Sequence, residues 1–255
     1  MAAIQLEDMV TLAVQAGEIM LKNGAETSRV EETMEHIARA CGAVQVESFV
    51  IPTGVFLTVV DVAGRSLTTM RRVRDRTINL DRIAKVNELS RRLADKRLEY
   101  GDAIALLGLI AKERTGFSLL PSMAASGLVG GGFAVLQNGG YGEMAAAFIG
   151  AAAVRYVAHV ISQLHGVRFT FEFLGGLTAA LIGSVLHFFC PVLSRDVIIV
   201  GGLMPLVPGV AITNAIRDVI AGDLLSGLSR GLEAALTSVA VAMGVVIVLA
   251  IHTVR

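Results

Sequence analysis

The sequence predicts an α-helical polytopic membrane protein with five transmembrane helices and an N-terminal α+β domain. Hydrophobic residues make up 54% of the chain, and its mean hydropathy of +0.66 is uncommon for a soluble protein of this size. Charge is concentrated at one end, since residues 1–116 hold 16 of the 22 Lys and Arg and 16 of the 22 Asp and Glu. The chain therefore divides into a charged domain, 1–116, and an apolar membrane domain, 117–255.

Two helices are predicted at the start of the charged domain. Apolar residues recur at helical spacing over residues 4–22, and Asn23-Gly24 is typical of a helix end. A second helical pattern runs from about Glu26 to Cys41 and stops at Gly42.

Three short strands and two further helices complete the predicted domain. From Val44 apolar and polar residues alternate with a period of two, and turn sequences follow at 52–54 and 63–64. The predicted elements are strands from 44, over 55–60 and over 66–73, and helices over 78–98 and 98–112. The order is therefore ααβββαα.

The membrane domain contains five apolar segments of roughly the ~20 residues that a helix needs to cross a bilayer. The predicted spans are 117–137, 142–163, 171–190, 197–216 and 232–252. An odd number of spans places the two ends of the unit on opposite sides, so a second five-span unit of opposite orientation would complete an inverted repeat. That unit is either another copy of this chain in dual topology, a homo-oligomer, or a separate protein.

Basic residues predict the orientation. Residues 71–97 contain ten Lys and Arg against four Asp and Glu, and Lys112 and Arg114 precede the first span. By the positive-inside rule the N-terminal domain is cytoplasmic and the C-terminus is outside. The loops then carry Arg168, Arg217 and Arg230 inside, and Arg195 and Arg255 outside. The basic stretch 71–97 either attracts anionic headgroups, concentrates anionic solutes, or only enforces this topology.

The fourth apolar segment, Val197–Asp223, is interrupted by proline and glycine. Pro205, Pro208 and Gly209 lie in its middle, and each proline removes a backbone donor. Two interpretations are open: an ordinary proline kink, or a broken helix of the kind that forms binding sites in transporters.

One charged side chain is predicted deep inside a span. Arg155 lies about 13 residues into the second span, and His159 is one turn away on the same face. Its guanidinium either binds a substrate carboxylate or a gating carboxylate, or extends to the headgroup region.

Several classes of function find no support in the sequence. The net charge is zero, so no nucleic-acid partner is expected. Cys41 and Cys190 predict neither a disulfide framework nor CxxC chemistry, and the N-terminus lacks the pattern of a signal peptide. No catalytic triad, no His/Cys cluster with metal-ligand spacing and no ATP-binding loop is present, so we expect no catalytic residue, metal or cofactor, and any transport would be driven by a gradient.

Two groups of residues resemble the signatures of a known family. They are Gly24–Glu32 (GAETSRVEE) and, further on, Pro205–Gly209 (PLVPG), Asn214, Asp218, Gly222-Asp223 and Gly227. Together they are similar to the threonine/serine exporter (ThrE) family over essentially the whole chain.

The resemblance implies a bacterial inner-membrane exporter with a cytoplasmic N-terminus and a periplasmic C-terminus. Fused members have ten spans and export threonine and serine. In the split form a longer subunit with the cytoplasmic domain pairs with a small five-span subunit and exports succinate, and this chain looks like that longer subunit. The implied substrate is a small carboxylate, succinate first and threonine or serine as the alternative.

The resemblance also implies site residues. The transport path would include Pro205, Pro208, Gly209, Asn214, Asp218 and Asp223, with Arg155 added from its position. The cytoplasmic motif is Glu26, Arg29 and Glu32, in which Arg29 and Glu32 are spaced to pair across one helical turn. This motif is either a structural cap and ion pair or part of the transport machinery. A coupling proton would use Asp218, Asp223 or Glu172.

Two functions of other classes remain as alternatives. One is a membrane-anchored hydrolase whose chemistry lies in the α+β domain. The other is a scaffolding or regulatory subunit that stabilises a partner without lining the path. Cysteine accessibility scanning over residues 203–214 distinguishes a scaffolding subunit from a path-lining one. Protection of the cysteines by substrate supports a path-lining role, and uniform inertness supports scaffolding.

Overall fold

The computed structural model describes residues 4–74, 76–113, 116–163 and 169–253. Arg114, Arg168 and Arg255, which enter the charge analysis, lie outside the described residues. The chain forms two compact units. The first comprises the described part of 1–115 together with Val210–Leu232, and the second comprises the described part of 116–209 and of 233–255. Residues 210–232, which the sequence analysis places in the membrane domain, thus group with the N-terminal unit.

The N-terminal part of the first unit has the predicted order of two helices, three strands and two helices. The elements are α1 (Leu6–Lys22), α2 (Thr27–Ala40), β1 (Gln45–Ile51), β2 (Gly54–Val60), β3 (Ser66–Arg72), α3 (Leu80–Ala94) and α4 (Tyr100–Lys112). Helix α3 is shorter than the predicted 78–98. Asn79 caps its start by accepting a hydrogen bond from Arg82 N at 3.0 Å, and Lys96 adopts a positive φ of 57° just beyond its end.

The three strands form one antiparallel sheet in the order β1-β2-β3. Its register pairs Val50 with Val55 and Leu57 with Thr69. Alternate residues of β2 are buried against α1, which produces the period of two seen in the sequence, and β1 packs against α2. The core of this unit includes Leu12, Met20, Met34, Ile37, Leu57 and Leu89.

The second unit is helical. It contains α5 (Leu119–Leu136), α6 (Tyr141–Gln163), α7 (Thr170–Phe189), α8 (Arg195–Leu203), a 3₁₀ turn (Met204–Leu206) and the later part of α10 (Leu224–Thr253). Helix α9 (Gly209–Ala221) follows the 3₁₀ turn, and only its first residue belongs to this unit.

Four helices among the described residues are long and apolar enough to cross a membrane, and a fifth span results if one bent pair is counted together. The four are Leu119–Leu136, Tyr141–Gln163, Thr170–Phe189 and Leu224–Ile251, and the bent pair is Arg195–Leu206 with Gly209–Ala221. The last helix begins at Leu224, well before the predicted start at 232.

The fourth apolar segment is broken rather than kinked. Pro205 lies in the 3₁₀ turn, and Val207 is extended with φ −64° and ψ 123°. Pro208 follows, and a new helix starts at Gly209, whose N–H donates to the carbonyl of Val207 at 2.8 Å. The prolines therefore end one helix before another begins, as their missing donors favour.

Glycines allow helices α5, α6 and α8 to pack closely. A Cβ placed on Gly130 would lie 2.6 Å from Ala151 Cβ, 2.8 Å from the carbonyl oxygen of Gly201 and 2.9 Å from that of Ala147. Two of these three atoms are backbone and cannot move aside. By contrast, a Cβ on Gly132 of the same helix would meet nothing within 4 Å. Small residues at such contacts are typical of helix packing in membranes.

We expect Gly130→Ala to lower the free energy of unfolding by about 1–3 kcal/mol, because the added methyl group overpacks a backbone contact. Gly132→Ala, two residues away, leaves stability unchanged or raises it by up to about 1 kcal/mol through helix propensity. Unfolding of the purified protein in mixed micelles measures both. Equal effects of the two substitutions would show that the packing at Gly130 is looser than described.

Candidate functional site

The two motifs that the sequence presents separately meet in the first unit. The loop between α1 and α2, Gly24–Glu26, and the start of α2 contact side chains of α9 and of the first turns of α10. Nearly two hundred residues separate the two parts, so only the fold brings them together. All the residues involved belong to the same compact unit.

The loop presents two backbone carbonyls. Gly24 adopts a positive φ of 91°, and the N–H of Ala25 donates to the carbonyl of Met20 at 3.0 Å, which is the C-terminal arrangement that favours glycine. Glu26 then precedes α2 in an extended conformation. The carbonyls of Gly24 and Ala25 therefore belong to no helix and need other donors.

Side chains of α9 and α10 supply those donors. Asn214 Nδ2 donates to the Gly24 carbonyl at 2.8 Å, and Arg230 Nη2 donates to the Ala25 carbonyl at 2.7 Å. Both side chains are buried. We call Asn214, Asp218 and Arg230, with the segment Gly24–Thr27 that they hold, the polar clamp.

Asp218 is the acceptor of the polar clamp. Its Oδ1 accepts a hydrogen bond from the N–H of Thr27 at 3.1 Å, and its Oδ2 lies 3.0 Å from Arg230 Nε. The side chains of Asp218 and Arg230 are 0% and 8% exposed, so this is a buried ion pair. Such a pair contributes little net stability over apolar residues, but removing one partner leaves an uncompensated buried charge.

Asp218 also complements the N-terminus of α2. Glu26, at the N-cap position, makes no side-chain capping hydrogen bond, and the first turn of α2 contains no acidic residue. The carboxylate of Asp218 therefore provides the negative charge that a helix N-terminus favours. Asp218, which is distant in sequence, thus does what a capping residue or an acidic residue of the first turn usually does for a helix N-terminus.

The predicted cytoplasmic motif forms a different ion pair from the one expected. Arg29 Nη2 lies 3.7 Å from Glu26 Oε1, and Glu26 Oε1 also accepts a hydrogen bond from Arg217 Nη1 of α9. Arg29 pairs one turn back instead of with Glu32, which is exposed. Glu26 thus bridges α2 to α9 at the exposed rim of the polar clamp.

Glycines shape the turn that joins α9 to α10. Gly222 has a positive φ of 95° and ends α9, and the N–H of Asp223 donates to the Asp218 carbonyl at 2.8 Å. A Cβ on Gly227 would lie 2.9 Å from the Ala215 carbonyl oxygen and 3.0 Å from Val219 N. Glycine at 227 therefore permits α10 to approach α9 closely enough for Arg230 to reach Asp218.

Two further carboxyl groups lie near the polar clamp. Burial raises the pKa of Glu31, and Asp223, Glu35 and Asp218 raise it further, while the hydrogen bond from the N–H of Val50 at 2.8 Å opposes the change. Burial and the charge of Asp218 likewise raise the pKa of Asp223. Protons are therefore held more tightly here than on an exposed carboxyl group.

The other predicted path residues belong to the second unit. They are Pro205, Pro208 and Gly209 at the break and Arg155 on α6. Arg155 is half-buried, and in the described part of the chain no carboxylate forms an ion pair with it. Its neighbour His159 contacts Gln163 through Nε2 at 2.9 Å. An intrachain gating pair at Arg155 is thus not seen among the described residues.

Sequence reasoning missed the part that Arg217 and Arg230 play. From the sequence, both are predicted only to be loop charges that set orientation. The available signal is two acids, Asp218 and Asp223, and two arginines, Arg217 and Arg230, in a mostly apolar stretch. Burying a charge costs free energy, so opposite charges in such a stretch are expected to pair, although the sequence does not say which acid pairs with which arginine. Gly24 and Ala25 gave no such signal, because they act through backbone carbonyls.

The arrangement is suited to joining segments. Its buried acid and base neutralise each other, and one further polar atom of each, Asp218 Oδ1 and Arg230 Nη2, binds a backbone group. Asn214 and Asp218 lie one turn apart on α9, so the clamp fixes both the position and the rotation of this helix.

Comparison with known proteins identifies the family of the chain. Residues 11–252 match the family model described as "Putative threonine/serine exporter". The chain belongs to this family. With its several apolar helices it is a multi-pass membrane protein. This confirms the family resemblance of the chain.

Curated relatives cover nearly the whole chain. A protein of Escherichia coli (strain K12), named "Probable succinate transporter subunit YjjP", is 28% identical over 98% of this chain and 97% of its own length. A protein of Klebsiella aerogenes with the same name is 27% identical over 96% and 94%. A "Probable threonine/serine exporter" of Mycobacterium tuberculosis is 20% identical over 94% of this chain but only 45% of its own length. No solved structure matches significantly.

We expect Arg230→Met to lower the free energy of unfolding by about 3–5 kcal/mol, because it leaves Asp218 buried without its partner. The matched control is Arg217→Met, which removes a half-exposed arginine from the same hairpin and costs about 0–1 kcal/mol. Unfolding in mixed micelles measures both. Similar decreases in the free energy of unfolding of the two variants would contradict the stabilising role of Arg230 in the polar clamp.

We expect Glu31→Gln to change the pH dependence of stability. The folded-state pKa of Glu31 is raised above its ordinary value of 4.5. The stability that protonated Glu31 contributes is therefore lost as the pH rises from about 4.5 through the raised folded-state pKa. A glutamine side chain at this position does not ionise and still offers an oxygen to the N–H of Val50. The variant should therefore exceed the parent in stability at neutral pH, with the advantage vanishing below about pH 4.5. Parallel stability curves for the two proteins would contradict this.

Proposed function

We propose that this chain is a subunit of a secondary exporter in a bacterial inner membrane, moving small carboxylate metabolites outward, with succinate as the first candidate. The observation that carries the proposal is the end-to-end similarity to two proteins named "Probable succinate transporter subunit". Similarity over 97% of the Escherichia coli relative leaves almost none of that subunit without a counterpart here.

A second five-span subunit of the same family is the proposed partner. This chain corresponds to 45% of the Mycobacterium tuberculosis exporter, so more than half of that protein has no counterpart in it. The described residues form at most five spans, which corresponds to one unit of an inverted repeat, and such a repeat needs a second unit. The missing half would come from a small separate subunit or from a second copy of this chain.

The proposed transport path passes the break in the fourth span. Broken helices expose backbone groups that bind substrates and ions in transporters. Pro205, Pro208 and Gly209 form this break, and α9 starts from it. Asp218 is about 13 Å along α9 from Gly209. We propose that Asn214 and Asp218 serve the path indirectly, by holding the helix that begins at the break.

Arg155 is the proposed contact for a substrate carboxylate. A guanidinium binds a carboxylate through two parallel hydrogen bonds, and its charge favours an anion in an apolar bundle. The half-buried position of Arg155 on α6 and the lack of an ion-pair partner within the described ranges support this role.

Threonine and serine are the second candidate substrates. The similarity to the Mycobacterium tuberculosis protein named as an exporter of these amino acids favours them, although its identity is lower. A zwitterion also carries the carboxylate that Arg155 would bind.

The test is efflux of labelled succinate, threonine and serine from loaded cells. Cells express this chain, a small five-span family member, both, or neither. We expect both together to raise succinate efflux, and Arg155→Gln to abolish most of the increase while Arg155→Lys keeps part of it. The matched control Arg195→Gln, at the start of α8, leaves efflux unchanged.

Two outcomes would contradict the proposal. If no combination of chains changes any of the three fluxes, the exporter assignment fails. If Arg155→Gln inserts normally and transports at the parent rate, Arg155 does not contact the substrate.

A further inference from the structure

A second candidate site lies in the first unit, apart from the polar clamp. A cavity of about 220 Å³ opens between the C-terminal half of α1, the start of α3 and the end of α4. Its polar lining residues are Gln15, Glu18, Lys22, Asn23 and Arg82. None of these helices is among the described helices that pass as membrane spans.

Two residues of this lining hold buried polar atoms that lack partners. Asn23 is 1% exposed and donates through Nδ2 to the Ile19 carbonyl at 2.6 Å, but in the described part of the chain its Oδ1 accepts no hydrogen bond. Arg82 Nε is also buried, and within the same ranges it donates none. An unmade hydrogen bond of this kind costs about 1–3 kcal/mol, so such atoms usually mark a missing partner.

Arg82 is nevertheless held firmly. Its Nη2 donates to the carbonyls of Ala111 at 3.2 Å and Glu113 at 2.6 Å at the end of α4, and its backbone N–H donates to Asn79 Oδ1 at 3.0 Å. The guanidinium therefore keeps its place whether or not Nε is occupied. This is the preorganisation that a binding site requires.

Two charged side chains of α1 complete the lining. Glu18 and Lys22 are four residues apart, the spacing at which opposite charges usually pair on a helix. Here no ion pair joins them, and across the described residues neither side chain has a hydrogen-bond or ion-pair partner. The cavity thus offers an acceptor at Glu18 and Asn23 and donors at Lys22 and Arg82.

We propose that this cavity binds a small α-amino acid as its zwitterion. The ligand carboxylate lies with Lys22 and Arg82, and the ligand ammonium lies with Glu18 and Asn23 Oδ1. Ile19 and Ala111 provide apolar contacts for a short side chain. The volume is below the ~300 Å³ at which pockets for drug-sized ligands begin, so it suits a metabolite of the size of serine or threonine.

The lining favours a zwitterion over a dicarboxylate. The carboxylate of Glu18 repels a second ligand carboxylate and attracts an ammonium group. This site is independent of the proposed export of succinate, because it lies on helices outside the spans.

The test is isothermal titration of the full chain in detergent micelles. L-threonine and L-serine are the probes. Threonine amide, which lacks the carboxylate, 2-hydroxybutanoate, which lacks the ammonium, and succinate are the comparison ligands. We expect saturable binding of both amino acids, and weaker binding of all three comparison ligands.

Matched variants locate the binding. Glu18→Gln and Lys22→Met each keep the shape of the lining and should raise the Kd for threonine at least about tenfold, the effect of losing one charged hydrogen bond. Glu88→Gln, an exposed change on α3 outside the cavity, should leave it unchanged. Retained helical circular dichroism confirms that each variant is folded.

Two results would overturn the proposal. They are no binding of either amino acid at millimolar concentration, or equal Kd values for threonine in Glu18→Gln and Glu88→Gln. Neither result decides succinate efflux, so this site and the succinate export proposal are tested separately.

Discussion

The buried ion pair between Asp218 and Arg230 is the constraint on which the first unit depends. Asp218 also binds the N–H of Thr27 at the start of α2, and Arg230 binds the Ala25 carbonyl of the α1–α2 loop, so the pair connects α9, α10 and this part of the N-terminal domain. Neither charge is tolerated in isolation at this depth of burial. Asp218, Arg230 and the loop carbonyl of Ala25 therefore stabilise one another in the folded unit. This explains why residues 210–232 group with an N-terminal domain from which they are so distant in sequence.

Local rules account for most of what the sequence predicted correctly. Helix ends at Gly24 and Gly42 follow from glycine at positive φ, and the strands follow from burial of alternate residues. The break near Pro205 and Pro208 follows from missing backbone donors. The start of α10 at Leu224 was missed because Ser226, Ser229 and Arg230 lower the hydropathy of its first turns, although a helix does not require that property.

Local rules do not predict the polar clamp. The sequence indicates most of its residues as candidate site residues, but as two separate motifs, because it gives no distance between Gly24 and Asn214. The spacing allows Arg29 to pair with Glu32, but Glu26 has the same spacing in the other direction, and Glu26 is the residue that also accepts a hydrogen bond from Arg217 of α9. No sequence pattern predicts the polar cavity near Arg82, because its lining residues come from three helices that are separate in sequence.

Helix α10 has one further consequence. Its 30 residues extend over about 45 Å, whereas the hydrocarbon core is about 30 Å thick. A free helix of this length relieves hydrophobic mismatch by tilting. Here the first turns, up to Leu232, belong to the first unit, where Arg230 donates to the Ala25 carbonyl. The turns from Glu233 to Thr253 extend over about 30 Å, so this later part alone is long enough to cross the hydrocarbon core with little tilt.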